Sequence, residues 1–450
     1  MMRNHFASCT TIVDGETERA HSVSGKDGSM VFIPLIFYAY FCQSLAVSRA
    51  VQGLCLLISF SALVLHFLIN RRFATKRFGL EVAWVPFFIL FFAHSFLYGI
   101  NNTFLFAVYS LLFICMYAAS GERAWVGSCL KVVVAFSLFH AACTFLFWLV
   151  PSLYPPVKVA FFSSSYMASD YRSGFTAHYS TNSIYLSLGL VCWACGLTGC
   201  RAKVQPKNLL AGLVLLLALL LTTKRGPLIA AVASISVCYL YVNRKKFTGT
   251  LLKALVAVFV AVITVAVLAT FVPGIHVTLE RFVELSVDDT GNGRSDLYDC
   301  AWDMFYASPL FGSGWGSYGK YVATTPLGVM YDEIGFASMS AHNVYLQLLA
   351  ETGVVGLVCF AAPALASLFY AAHRSGVNGD PMPYGDPFCL WACVGLQIFF
   401  LIYCLSGNPL YDPQCYIPYF ISVVAVFAIC GPGVDGSEAR GRVLHGDLHR

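Results

Sequence analysis

Residues 208–242 read NLLAGLVLLLALLLTTKRGPLIAAVASISVCYLYV: two apolar runs on either side of a polar hinge, Thr222-Thr223-Lys224-Arg225-Gly226-Pro227. A helix needs about 20 mainly apolar residues to cross the hydrocarbon core of a bilayer. Each run approaches that length, and the Gly-Pro pair between them is a turn signal. The segment therefore reads as two neighbouring spans joined by a tight turn that carries two adjacent cations.

The same pattern repeats along the whole chain. Of its 450 residues, 58% are hydrophobic and 11% are charged, against about 25% charged in a typical soluble domain. The mean hydropathy is +0.70. These values exclude an ordinary soluble globular protein, a disordered chain and a nucleic-acid-binding module, and leave a polytopic membrane protein. About twelve apolar stretches qualify as spans: 30–47, 52–70, 82–99, 103–119, 130–150, 183–199, 208–223, 227–242, 251–273, 345–372, 388–406 and 414–431. The first is too long for a cleavable signal peptide and has no clear small-residue cleavage site. The expected fold is all-α, with a small, mostly helical periplasmic subdomain between the ninth and tenth spans.

Positive charge orients such a chain, because Lys and Arg collect on the cytoplasmic side. Alternating the loops places 18 Lys and Arg residues on one side and 8 on the other. Both termini are thus expected in the cytoplasm, which requires an even number of spans. The expected organisation is a cytoplasmic tail (1–29), spans one to nine (30–273), a periplasmic catalytic loop (274–344), spans ten to twelve (345–431) and a cytoplasmic C-terminal tail (432–450). No internal repeat relates the two halves.

Cysteine gives no framework. Most of the 17 cysteines sit inside apolar runs, where a thiol behaves as a small apolar group. Cys192 and Cys195 form a C-x-x-C on a hydrophobic stretch without a second pair or a nearby histidine, so a metal or redox role is not expected of them. Asp288-Asp289 has the look of a metal pair but precedes Gly291 and Gly293, which suits a solvated turn. Gly312-Ser313-Gly314-Trp315-Gly316 fits neither glycine-rich phosphate-loop pattern. No cofactor is expected.

Chemistry is expected where cations stand on the outer side against the charge bias. Arg225 is either an anchor at the membrane interface or an anion site facing a cavity; its planar fork of donors matches phosphate oxygens two at a time. Arg294 precedes a predicted amphipathic helix over about 296–307, with Ser295 as its cap. It is either a surface arginine paired with Asp296 or Asp288, or an anion ligand at a helix start. His342 is expected in the first turn of the tenth span, with Ser340 capping the helix. There the helix N-terminus would keep the imidazole neutral and able to accept a proton. Aromatic residues make up 15% of the chain. Among them Trp315 and Tyr318 either stack on sugar rings or pack the subdomain against the membrane.

The ordered residues match a known pattern. Arg225-Gly226 follows a span. Arg294-x3-Tyr298-x3-Trp302 leads to Pro309-Leu310-Phe311-Gly312. His342-Asn343-x-Tyr345-Leu346-x-Leu348-x-x-Glu351-x-Gly353-x-x-Gly356 closes the set. Upstream, Arg172-Ser173-Gly174 is followed by His178 and Asn182. This resembles the O-antigen ligase/polymerase superfamily of bacterial envelope glycan enzymes.

The resemblance implies a metal-independent, inverting membrane glycosyltransferase of the GT-C type in the inner membrane. It would take a glycan from undecaprenyl diphosphate on the periplasmic side. A ligase passes the glycan to lipid A–core, in lipopolysaccharide biosynthesis. A polymerase passes it to another carrier-linked repeat of an O-antigen or exopolysaccharide. Arg225 and Arg294 would hold the diphosphate and His342 would activate the acceptor hydroxyl. Arg172, Lys224, Asn343, Trp315 and Tyr318 would serve substrate binding. A lipid-linked oligosaccharide transporter is the rival, but it would carry charges along a central path through several spans, whereas here they gather on one face. A scaffold without activity would not need the arginine and histidine set.

Overall fold

The computed structural model describes residues 29–42, 49–70, 79–99, 103–118, 123–162, 170–200, 206–272, 275–277, 279–280, 294–333, 340–375 and 387–430. Asp288, Asp289, Gly291, Gly293 and nearly all of both tails lie outside the described residues. The order is α1 Ser29–Phe37, which continues through a π-helical turn at Tyr38–Cys42, α2 Arg49–Asn70, α3 Val85–Tyr98, α4 Thr103–Ala118, α5 Ala124–Leu149 and α6 Tyr154–Phe161. Then come α7 Tyr179–Cys200, α8 Pro206–Leu221, α9 Arg225–Val242 and α10 Phe247–Phe271. The three short polar-loop helices are α11 Arg294–Ala307, α12 Tyr318–Ala323 and α13 Pro326–Glu333; α14 Val344–Arg374, α15 Pro387–Tyr403 and α16 Pro413–Cys430 complete the bundle. Among the described residues there is no strand.

Among the described residues six segments are long and apolar enough to cross a membrane: Leu80–Tyr98, Ala124–Leu149, Tyr179–Cys200, Arg225–Val242, Val344–Arg374 and Pro413–Cys430. Shorter apolar helices fill Met30–Cys42, Arg49–Leu65, Thr103–Tyr117, Asn208–Leu221, Val262–Phe271 and Pro387–Tyr403. Outer helices turn large apolar side chains outward: Leu252, Phe259 and Val262 of α10 and Leu57 and Leu68 of α2 are all exposed. A soluble protein rarely leaves a continuous apolar surface of that kind uncovered, whereas lipid covers it at no cost.

Lipid tails are as apolar as leucine, so the helices associate through close packing and hydrogen bonds rather than a hydrophobic drive. Small residues provide the approach. Gly189 of α7 backs onto Ser137 of α5, Gly196 onto Phe388 of α15, and Gly212 of α8 onto Trp193. Hydroxyls then bridge helices: Ser137 Oγ donates to the Tyr185 carbonyl at 2.7 Å and Ser234 Oγ to the Gly395 carbonyl at 2.7 Å. Interhelical bonds of this type contribute about 0.6 kcal/mol each on average. α16 is the hub of the bundle and is almost wholly enclosed by its neighbours.

The tenth stretch, expected as one unbroken helix, is broken at Gly353, where φ is +65°. The break is filled by the Pro309–Gly314 turn. Ser313 and Gly314 N–H donate to the carbonyls of Ala350 and Glu351, and Val354 and Val355 N–H donate to those of Pro309 and Leu310. These four bonds re-pair backbone groups freed by the kink, as a low-dielectric setting demands. A Cβ on Gly353 would run into the Leu310 carbonyl, and one on Gly312 into the Glu351 backbone. This is the physical content of the Glu351-x-Gly353 spacing.

The described turns sort to two ends. At one end, Val344 N–H donates to the Cys404 carbonyl at 2.8 Å, Gly226 lies against Tyr403 and Ser406, and Gly174 lies against Thr144. At the other, Gly199 lies against Trp391, and Arg123 Nε donates to the Ala428 carbonyl. α11 to α13 belong to the first end, because Gly314 meets Tyr98 at the end of α3.

Candidate active site

Four helices start at this first end with cations or histidine at their first residues: α7 after Arg172 and His178, α9 at Lys224 and Arg225, α11 at Arg294, and α14 after His342. Helix N-termini carry unpaired N–H groups and partial positive charge. Adding cations to four such starts builds a field that favours an anion.

The Arg172 loop is held by Asn182. Its Nδ2 donates to the Arg172 carbonyl at 2.8 Å and to Thr144 Oγ1 at 2.9 Å. Gly174 turns with φ +51°, and a Cβ there would crowd Thr144 Oγ1 and Asn182 Nδ2. Glycine and asparagine in that spacing thus fix the arginine. The Arg172 guanidinium is bound to Asp170, with Nε 2.8 Å from both carboxylate oxygens. It also lies 5.2 Å from the Tyr179 ring centroid, while Lys224 Nζ lies 4.5 Å from the same centroid.

Lys224 and Arg225 follow a strained turn. Thr223 takes φ +58° and is buried; left-handed backbone is rare for a β-branched residue. Lys224 N–H lies 3.5 Å from Thr222 Oγ1. Arg225 is half-buried as the first residue of α9, and the adjoining Gly226 rests against Tyr403. Arg294, also half-buried, acts electrostatically on that same Tyr403. Among the described residues Arg294 makes no ion pair with Asp296.

His342 departs from expectation. Asn343, not Ser340, caps α14: its Oδ1 accepts from the N–H groups of Tyr345 at 3.0 Å and Leu346 at 3.2 Å. Asparagine is a favoured cap because its short side chain reaches those orphan donors. His342 consequently stands one residue outside the helix cap, at φ +50°, with its side chain open to solvent on one side. The surrounding protein, then the charges of Arg294 and Lys224, hold its pKa below the ordinary value. It is neutral at pH 7.

Three other expectations are refined. α11 begins at Arg294, so Ser295 lies within the helix rather than capping it. Trp315 is only 6% exposed and packs against Phe91, Tyr109 and Tyr411, with ring centroids 5.1 to 6.1 Å apart. Tyr318 is fully buried, and its hydroxyl donates to the Leu297 carbonyl at 2.6 Å. Both rings pack the extramembrane helices onto the bundle, leaving no open face for a sugar. Asn343 spends its carboxamide oxygen on the cap.

The glycine-rich turn does bind an acidic side chain, one supplied by the chain itself. The fully buried Glu351 accepts from Gly316 N–H at 2.8 Å, Tyr318 N–H at 3.1 Å, Gln347 Nε2 at 3.2 Å and Tyr411 Oη at 2.7 Å. Its carboxylate ties α14, the Trp315 turn and the α15–α16 connection into one floor beneath the cations.

Some site residues carried little signal in the sequence. His178 was visible only as a motif position. Its pKa is driven down to about 4 by burial, then by Lys224 and Arg172. Asp412, at the start of α16, is pushed up to about 7 by burial and acts on Tyr403 together with Arg294. A lone aspartate between Tyr and Pro in a short connection has no pattern to announce it. Among the described residues no three His, Cys, Asp or Glu side chains group closely enough to hold a metal ion.

The family model described as O-antigen ligase matches residues 210–361. That segment runs from α8 through the break in α14 and includes Lys224, Arg225, Arg294, His342 and Glu351; Arg172 lies outside it. No curated protein matches the chain.

Proposed function

We propose, from the match of residues 210–361 to the family model described as O-antigen ligase, that this multi-pass membrane protein transfers a glycan from undecaprenyl diphosphate to an acceptor hydroxyl. The acceptor in this reading is lipid A–core, which makes the protein a ligase. The reaction takes place on the periplasmic face of the inner membrane, with both termini in the cytoplasm. The single observation that supports it is the convergence of Lys224, Arg225, Arg294 and the neutral His342 on one end of the bundle.

The chemistry follows from the groups present. An acceptor hydroxyl attacks the anomeric carbon and its proton passes to His342. The bond from that carbon to the diphosphate oxygen breaks, and the electron pair leaves with the diphosphate. Arg225 and Arg294 stabilise the charge that develops there, a contribution that preorganised donors make most strongly in a water-poor site. Attack opposite the leaving group inverts the anomeric centre. A general base of this kind contributes about 10²–10⁴-fold.

The test is a gel of envelope glycan from a deletion strain complemented with wild type, R225A, R294A or H342A. Carrier-linked polymer that never reaches lipid A–core identifies a ligase. Single repeat units, or loss of secreted polymer with a capped core, identify a polymerase. Full complementation by all three variants would exclude this mechanism and favour a transporter.

A further inference from the structure

The cations on the Arg172 side are arranged around one ring. Arg172 and Lys224 come from loops about 50 residues apart in sequence, yet both approach the Tyr179 ring, at 5.2 and 4.5 Å from its centroid. Like charges gathered at one ring repel each other. The negative face of an aromatic ring offsets part of that repulsion, and Asp170 offsets more for Arg172. His178 stacks on the same ring with centroids 4.3 Å apart. The Ser180 N–H donates to its Nδ1 at 3.2 Å. Nδ1 is thus an acceptor, and the proton of the neutral ring sits on Nε2.

We propose that Tyr179 is a positioning residue, whose ring sets Arg172 and Lys224 side by side as one arm of a diphosphate clamp, with His178 adding an N–H donor through Nε2. Arg294 and Arg225 form the other arm, and Lys224 stands between the two. This extends the diphosphate-donor reading above and rests on it. A neutral histidine in this place contributes a hydrogen bond without adding a third charge to the crowded pair. It also divides the labour of the two histidines: His178 has its Nδ1 lone pair engaged, which leaves His342 as the base.

The test is binding of farnesyl diphosphate and farnesyl monophosphate to the full chain purified in detergent. Wild type is expected to prefer the diphosphate at least tenfold. Y179L is expected to weaken diphosphate binding about tenfold and to change monophosphate binding less. Y179F, which keeps the ring, is expected to restore binding to within about twofold of wild type. In a double-mutant cycle, Y179L and K224M are expected to be less than additive, because the ring acts through the lysine. A merely structural role would leave the two additive. Should Y179L fail to fold, Y179M in a cycle with K224M supplies the same readout. If R225A and R294A weaken diphosphate binding while Y179L binds as wild type, the clamp is wrong and the donor reading stands. If wild type shows no preference for the diphosphate, both are wrong.

Discussion

Thr223 and His342 are the two non-glycine residues with positive φ among the described residues, at +58° and +50°, and they stand at the same cation cluster. Thr223 precedes Lys224, and the Lys224 charge acts on His342. Residues held in such backbone regions cost about 1–3 kcal/mol each and collect at functional sites, where the surrounding fold over-determines them. The strain in this chain lies where the motifs converge.

Thr223 offers a way to separate strain from function. Glycine relieves the steric conflict at φ +58°, so T223G is expected to melt at or above the wild-type temperature. The same change frees the turn that aims Lys224 and Arg225, so glycan transfer is expected to fall about tenfold. Thermal unfolding in detergent alongside a transfer assay decides it. A variant that loses both stability and activity would show that Thr223 serves packing alone.

The pH profile of transfer should report His342. Burial, and after it the charges of Arg294 and Lys224, disfavour imidazolium, so the base form persists below the ordinary histidine pKa of about 6.5. Activity is therefore expected to hold as pH falls through 6.5 and to decline only lower. Replacing Lys224 by Met removes one of the charges that depress the value. The acid limb of the residual K224M activity should then move to higher pH. An unmoved limb would separate His342 from the cation cluster.

His178 should appear in stability. Its folded pKa of about 4 lies below the unfolded value of about 6.5, so the unfolded chain binds the proton first. The stability associated with His178 is thus fully present above about pH 6.5 and is lost as pH falls from there towards 4. Melting temperature across this window should fall less steeply for H178Q than for wild type. Parallel curves would place the ring in water rather than against Tyr179.

Glu351 is expected to be the most sensitive position outside the cations. E351A leaves the Gly316 and Tyr318 N–H groups, Gln347 Nε2 and the Tyr411 hydroxyl without their acceptor, at about 1–3 kcal/mol for each that is buried. Detergent-purified E351A should be unfolded or strongly destabilised. E351Q retains one oxygen and should fall between E351A and wild type. G353A should resemble E351A, since both break the seam between α14 and the 309–316 turn.

Much of this arrangement was legible in the sequence, for identifiable reasons. Among the described residues a helix lies in each of the twelve apolar stretches, because apolar runs are read directly from hydropathy, but only six helical segments there are long and apolar enough to cross a membrane. Arg225, Arg294 and His342 stood out as charges or titratable groups against the topology bias. What stayed hidden depends on pairing across distance. Asn343 displaced Ser340 as the cap because its carboxamide geometry wins locally. Trp315 and Tyr318 turned inward because Phe91, Tyr109 and the Leu297 carbonyl await them. The glycine turn binds Glu351, some 35 residues downstream, and no local spacing reveals that partner. The Gly353 break was invisible for the same reason, since its hydrogen bonds come from the Pro309–Gly314 turn.

The most direct measurement is transfer by the purified full chain in detergent with EDTA present, using a glycan carried on undecaprenyl diphosphate and lipid A–core as acceptor. Wild type is expected to form the linked product with inverted anomeric configuration. R225A, R294A and H342A are each expected to lose at least about a hundredfold in rate, in keeping with the usual worth of a charge-stabilising donor or a general base. Wild-type rates in any two of these variants, in protein that melts normally, would contradict the account.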